Sequence, residues 1–303
     1  MLQLPTPHGD KVKALLDNPK LPVKGRSRVK ETIVRYDDWI KQSRRVSGDS
    51  DQTIVRLVAL LNKYKQYIDV DLIFDSHNDF LYRKKGQLKL DNSVIEEFLP
   101  VLITAMLSGE LRENKLSFGP TNCFSGLRFE SSLNVMKPGG GLVIRSKAQD
   151  FAISRKLYLS ASHDADFQEA VKEETHVAYV VAECKTNLDK TMFQEAAATA
   201  LDVKTAVPSA KYYLLCEWLD MTPISAAATA IDEIIILRKS KRLPVNIREE
   251  FNTWDGRKNH REFYVNYLKS HPFSADTFTR FVNHIRALFR DNTEDSVLTR
   301  GYF

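Results

Sequence analysis

The amino-acid sequence predicts an α/β fold, a mixed sheet flanked by helices, with helical appendages at both ends. Three observations carry this. Apolar residues recur at helical spacing over roughly the first 85 residues. After Pro138-Gly139-Gly140-Gly141 the pattern turns to strands. From Phe263 onward it returns to helix. At 303 residues, 43% hydrophobic and 27% charged, the chain can bury a sizeable core and has an ordinary globular composition.

Taken in order, residues 29–42 carry Val29, Ile33, Val34 and Ile40 among basic side chains and read as a helix. Residues 53–68 do the same with Ile54, Val55, Leu57, Val58, Leu60, Leu61 and Tyr64, after a polar connection at 44–50. Ser93-Val94-Ile95-Glu96 matches a capping box, Pro100 implies a kink or a later start, and Gly109 is placed to end that helix. The passage from Gly119-Pro120 to the glycine triplet reads as loop, and the triplet as a flexible lead into a strand. Strands are expected at 142–147 and, bent or as a hairpin, at 150–160; a short polar helix is expected at 164–174. Then come a buried strand at 177–184 and an alanine-rich helix at 192–203, capped by Thr191-Met192-Phe193-Gln194. Strands at 211–218 and 234–237 and a helix over 263–289 complete the reading. The expected organisation is a helical region at 1–88, a core at 89–240 and a further helical region at 241–303, the two flanking regions being basic.

The first residues contain no apolar leader segment, and the longest apolar run, near 98–107, is too short for a bilayer. No membrane association is expected. Three cysteines without paired spacing suit a reducing, cytoplasmic compartment. The net charge of +5 is unevenly placed: residues 1–45 hold 11 Lys/Arg against 5 Asp/Glu, and residues 238–261 hold 8 against 3. Basic flanks suit a polyanion such as DNA, although solvated helix faces give the same pattern. Lys24, Arg26, Arg28 and Lys30 are the densest candidates for phosphate contacts, and Tyr82-Arg83-Lys84-Lys85 is a second cluster.

The chemistry is sharper. Glu183-Cys184-Lys185 ends the apolar run 177–182, so Glu183 and Lys185 project from one strand face and Cys184 from the other. Charges at the end of a buried strand call for a partner, a metal or a ligand. Phosphodiester hydrolysis uses this pair. Glu183 and a second carboxylate hold a hard divalent cation, Mg²⁺, with the Cys184 carbonyl available as a further oxygen. The cation acidifies water and neutralises phosphate charge, and Lys185 orients or helps deprotonate that water. Glu113-Asn114-Lys115 and Asp202-Val203-Lys204 share the triplet but fall in a loop and a helix. Asp150 is favoured as the second carboxylate, with Asp164 and Asp166 as competitors in a segment where Asp serves equally as an N-cap. The seven histidines show no metal-ligand spacing, and no Gly-Lys-Ser/Thr follows the glycines.

Asp150 followed by Glu183-Cys184-Lys185, within helix, three strands, helix, strand, resembles the PD-(D/E)xK nuclease superfamily, with Gln149 where the motif name has proline. The runs from Ala182 to Ala196 and from Leu215 to Pro223 resemble, more narrowly, the Bpu-ten-I family of type II restriction endonucleases. The resemblance implies a restriction-endonuclease-like core. It also implies Mg²⁺-dependent cleavage of double-stranded DNA at an asymmetric CCTNAGC-like site in the prokaryotic cytoplasm. The partner is a second, homologous subunit in a heterodimer, or the same chain in a homodimer. Gln194 and Glu195 stand where the superfamily can place a residue touching the lysine, although both suit a helix's first turn; Glu97 or Glu96 can add a carboxylate, or merely cap its own helix. A structure-specific repair or recombination nuclease, a non-catalytic DNA-recognition subunit and a basic non-nuclease binding protein are the rival readings.

Overall fold

The strands β1 (Ser117–Phe129), β2 (Leu142–Ala161), β3 (Val171–Leu188), β4 (Lys211–Leu219) and β5 (Glu233–Ile236) form one mixed sheet in that order. This is a computed structural model, and it describes residues 4–48, 50–290 and 293–301. β1 to β3 are antiparallel neighbours; β4 and β5 join in parallel, after α6 (Lys190–Ala206) has crossed over. Ahead of the sheet lie α1 (Pro7–Leu16), α2 (Val23–Ser43), α3 (Asp51–Gln66) with a π-helical continuation at Tyr67–Phe74, α4 (Asp79–Lys84) and α5 (Ser93–Glu113). Behind it lie α7 (Val245–Glu250), α8 (Trp254–Asn259), α9 (Arg261–Ser270), α10 (Ala275–Leu288) and α11 (Glu294–Arg300).

The pleat sends alternate residues of each strand into two layers. Phe151, Ile153, Val180, Ala182, Cys184, Tyr213 and Leu215 pack with α3, α5 and α10 on one face. Ala152, Val181, Tyr212, Leu214 and Cys216 pack under Phe193, Ala196, Ala200 and Val203 of α6 on the other. Alanines on α6 let the helix lie close to the strands, and its first turn is held by Asp189, whose Oδ1 accepts from the Met192 N–H at 2.9 Å. Glu183 and Lys185 share the α6 face; Cys184 is buried on the other, as the alternation requires.

Several expectations are corrected. β1 fills what the sequence presents as loop: register shifts at Gly119/Thr121 and Phe124/Gly126 absorb Pro120 and Ser125 as irregularities, and Gly126 pairs with Arg145. Residues 142–161 are one continuous strand. The polar helix expected at 164–174 is absent: residues from Val171 pair with β2, and their polar character reflects an exposed hairpin end. The glycine triplet is a tight left-handed turn packed on that hairpin, since a Cβ on Gly139 would lie 2.5 Å from the Ala161 carbonyl oxygen. Helix α5 runs through Pro100, kinks at Leu107, whose φ of −138° is not helical, and resumes past Gly109; no capping box forms, because Ser93 Oγ donates back to Lys89 O and Glu96 is taken by Asn92. Asp189 replaces Thr191 as the α6 cap. Pro272 divides the expected C-terminal helix into α9 and α10.

Candidate active site

Asp150 and Glu183 are brought together by register. Phe151 faces Ala182 across β2 and β3, so Asp150 sits opposite Glu183 on the α6 face. There the side chain replaces a ladder bond: the Cys184 N–H donates to Asp150 Oδ2 at 2.9 Å. Glu183 is engaged at both oxygens, with Lys185 Nζ 2.7 Å from Oε1 and the Tyr212 hydroxyl donating to Oε2 at 2.5 Å. Burial and the Glu183 charge push the Tyr212 hydroxyl far above the usual tyrosine range, so it stays a donor.

A second carboxylate approaches Asp150 from α5. Glu96 is buried, accepts from Asn92 Nδ2 at 2.8 Å, and lies 3.7 Å from Lys89 Nζ, which is 3.9 Å from Asp150 Oδ1. Burial raises the Asp150 pKa, opposed by the Cys184 N–H and Lys89 and reinforced by Glu183. Burial and the Asp150 charge raise that of Glu96. Both carboxyls thus gain from a nearby cation. Burial works to lower Lys185, but its bond to Glu183 and the charges of Glu183, Asp150 and Glu195 win, and its pKa is raised. Lys185 is an ammonium here.

These groups open into a cleft of about 630 Å³ lined by Arg83, Lys85, Lys89, Lys147, Arg242 and Arg248 among others. Its floor is a buried set of paired charges, Lys65, Asp69 and Glu217, joined by Arg238. Lys24, Arg26, Arg28 and Lys30 on α2 do not line the cleft. Arg26 and Arg28 donate to the carbonyls of Leu16 and Asp71.

The remaining candidates separate. Glu97 is buried away from Asp150, its Oε2 accepting the His8 and Gly9 N–H groups at 2.9 Å each and its Oε1 the Tyr36 hydroxyl. It anchors the start of α1. Gln194 and Glu195 are exposed on the second turn of α6, with only Glu195 acting on Lys185 through its charge. Asp164 accepts N–H bonds from Asp166 and Gln168 in the exposed β2–β3 turn, past the end of β2, whereas Asp150 lies in the middle of that strand. Lys89 and Tyr212 escaped the sequence reading, since neither lies near the triplet in the chain.

Among the described residues no three His, Cys, Asp or Glu side chains already form a metal cluster. The donor set still fits a hard divalent cation: Asp150, Glu183, Glu96 and the Cys184 carbonyl are all oxygens. Asn92 Oδ1, buried beside Glu96 on the cleft, has no hydrogen-bond partner among the described residues. No helix among the described residues is long and apolar enough to cross a membrane.

A model of the family described as Bpu10I restriction endonuclease matches residues 87–303. The solved structure titled "native BbvCI A2B2 tetramer at low resolution" contains a chain of similar fold, with TM-score 0.52 and 18% identity, covering 86% of this chain and 96% of that one. No curated protein matches the chain.

Proposed function

The chain belongs to the Bpu10I restriction endonuclease family, and from that premise we propose that it is a catalytic subunit of a type II enzyme that hydrolyses DNA at a short specific double-stranded sequence with Mg²⁺. The observation carrying this is the convergence of Asp150, Glu183 and Lys185 at the mouth of a cleft rimmed by arginine and lysine. Asp150, Glu183 and the Cys184 carbonyl, with Glu96 beside them, would hold the cation, which supplies charge neutralisation at the phosphate and a more acidic attacking water. Lys185, kept cationic, positions that water and offsets charge on the phosphate oxygens. Tyr212 fixes Glu183 in place through its hydroxyl. The three free thiols, all buried, suit work in a reducing cytoplasm.

One chain carries one such set, and one set cuts one phosphodiester at a time. Cutting both strands therefore calls for two sites. The similar BbvCI chain belongs to an A2B2 tetramer, and a homologous second subunit supplies the other site in the arrangement proposed here. To test it, the Lys185→Ala chain is combined with an intact partner, supercoiled plasmid and Mg²⁺. Open circles nicked always on the same strand are expected. Normal linearisation, or loss of cutting on both strands, would refute the division of labour. No Mg²⁺-dependent cleavage by the unaltered pair would refute the nuclease reading.

A further inference from the structure

Lys89 stands where the site calls for a positive charge. Its backbone adopts φ +52°, a left-handed conformation that lysine rarely takes up. The turn is tied by the Lys89 N–H to Gly86 O at 3.1 Å and the Leu90 N–H to Lys85 O at 3.0 Å, and the Ser93 hydroxyl donates to the Lys89 carbonyl. An unfavourable backbone held by its surroundings in a functional cleft points to a task for its side chain. That side chain carries its ammonium to 3.7 Å from Glu96 Oε1 and 3.9 Å from Asp150 Oδ1. Both separations exceed a charge-assisted hydrogen bond. The ammonium balances two carboxylates without being closely bound by either, and the side chain is 51% exposed. Lys185 differs: its 2.7 Å pair with Glu183 is closed.

We propose that Lys89 is a placeholder for the divalent cation. It is a positioning residue whose ammonium keeps Asp150 and Glu96 together in the cation-free enzyme and yields their oxygens when the cation enters. This rests on the metal-site reading above. Two carboxylates facing one another across a partly buried site repel, and each raises the cost of ionising the other. A cation between them removes that cost before DNA or metal arrives. A monovalent charge on a flexible, half-exposed stem is displaced by a divalent one that both carboxylates approach more closely. Lys89 therefore preorganises the site and also competes with the metal for it.

The two roles predict opposite changes. Ca²⁺ is titrated calorimetrically into the DNA-free chain at low ionic strength for the unaltered protein, Lys89→Met, Lys89→Arg and Asp150→Asn. With its competitor gone, Lys89→Met should bind Ca²⁺ about tenfold more tightly, the size expected for one nearby unit charge in a partly solvated site. It should also melt lower than the unaltered chain without Ca²⁺ and gain more on its addition. Lys89→Arg should behave as the unaltered chain. Unchanged or weaker Ca²⁺ binding by Lys89→Met, with Asp150→Asn losing it, overturns the placeholder while leaving the metal site standing. If Asp150→Asn binds Ca²⁺ as well as the unaltered chain, the metal-site reading falls and the placeholder with it.

Discussion

Replacing Lys65 by methionine should destabilise the protein by about 3–5 kcal/mol, the loss expected when one member of a buried ion pair is removed. Lys65 of α3, Asp69 of the π-helical turn, Glu217 of β4 and Arg238 beyond β5 form a set of two cations and two anions beneath the cleft, with side chains 1–8% exposed. Lys65 Nζ lies 2.7 Å from both Asp69 oxygens and 3.1 Å from Glu217 Oε1; Arg238 Nε is 2.8 Å from the same Glu217 oxygen. Methionine conserves most of the volume, so the loss is electrostatic: Arg238 alone must then serve two buried carboxylates. Urea denaturation should show a lower midpoint at unchanged slope. Acid should narrow the gap. Burial already raises the Asp69 pKa against the pull of Lys65, and losing Lys65 raises it further. A carboxyl whose folded pKa is raised favours the folded state at low pH and loses that advantage as pH rises through the folded pKa. The deficit of Lys65→Met should therefore be largest near neutrality and shrink as pH falls toward about 4. Adding Asp69→Leu, so that the double variant lacks one charge of each sign, should recover most of it. A deficit under about 1 kcal/mol, typical of solvated surface pairs, or one independent of pH, would show that this set is not dry and not coupled as described.

Two further sets of substitutions test the active site and the DNA path. Asp150→Asn should abolish cleavage while leaving DNA affinity largely intact, and Asp164→Asn, in the exposed β2–β3 turn, should keep most activity; the reverse result would move the second carboxylate to Asp164. Neutralising Arg83, Lys85, Arg242 and Arg248 should flatten the dependence of log K on log salt by up to roughly 0.9 for each DNA phosphate that these side chains neutralise. The same treatment of Lys24, Arg26, Arg28 and Lys30 should change the slope less, and a larger change there would place the DNA path on α2.

The placement of Glu183 and Lys185 was legible because its signal is local. Alternation along a strand puts Glu183 and Lys185 on one face and Cys184 on the other, whatever the rest of the chain does. The placement of Asp150 beside Glu183 was less legible, since it depends on which upstream strand pairs with β3; the Phe151–Ala182 register is what puts the two opposite each other. β1 was not legible because Gly119, Pro120 and Gly126 suppress strand patterning, and only pairing with β2 stabilises the bulges that accommodate them. The 164–174 segment failed for the converse reason: a hairpin end exposed on both faces carries no apolar alternation, so a polar strand reads as a polar helix.

Charge was the least legible property, because a count of lysines and arginines says nothing about what each one faces. The dense run on α2 contains Arg26 and Arg28, which spend donors on the carbonyls of Leu16 and Asp71. The cleft takes Arg83 and Lys85 from the cluster at 82–85 and Arg242 and Arg248 from the basic run at 238–261, and adds Lys89, Lys147 and Lys185 singly from elsewhere in the chain. Lys89 makes the point most sharply. In the sequence it is one lysine in a polar connection, five residues past Lys84; in the fold it is the cation nearest Asp150 Oδ1 among the ion pairs of the described residues. Its position follows from α5 packing against the sheet, which carries Glu96 and the turn before it to Asp150 in the middle of β2. A nuclease site of this kind is thus half local and half assembled. In the proposed site, the strand carries Glu183 and Lys185, and helix packing brings Glu96 and Lys89 beside Asp150.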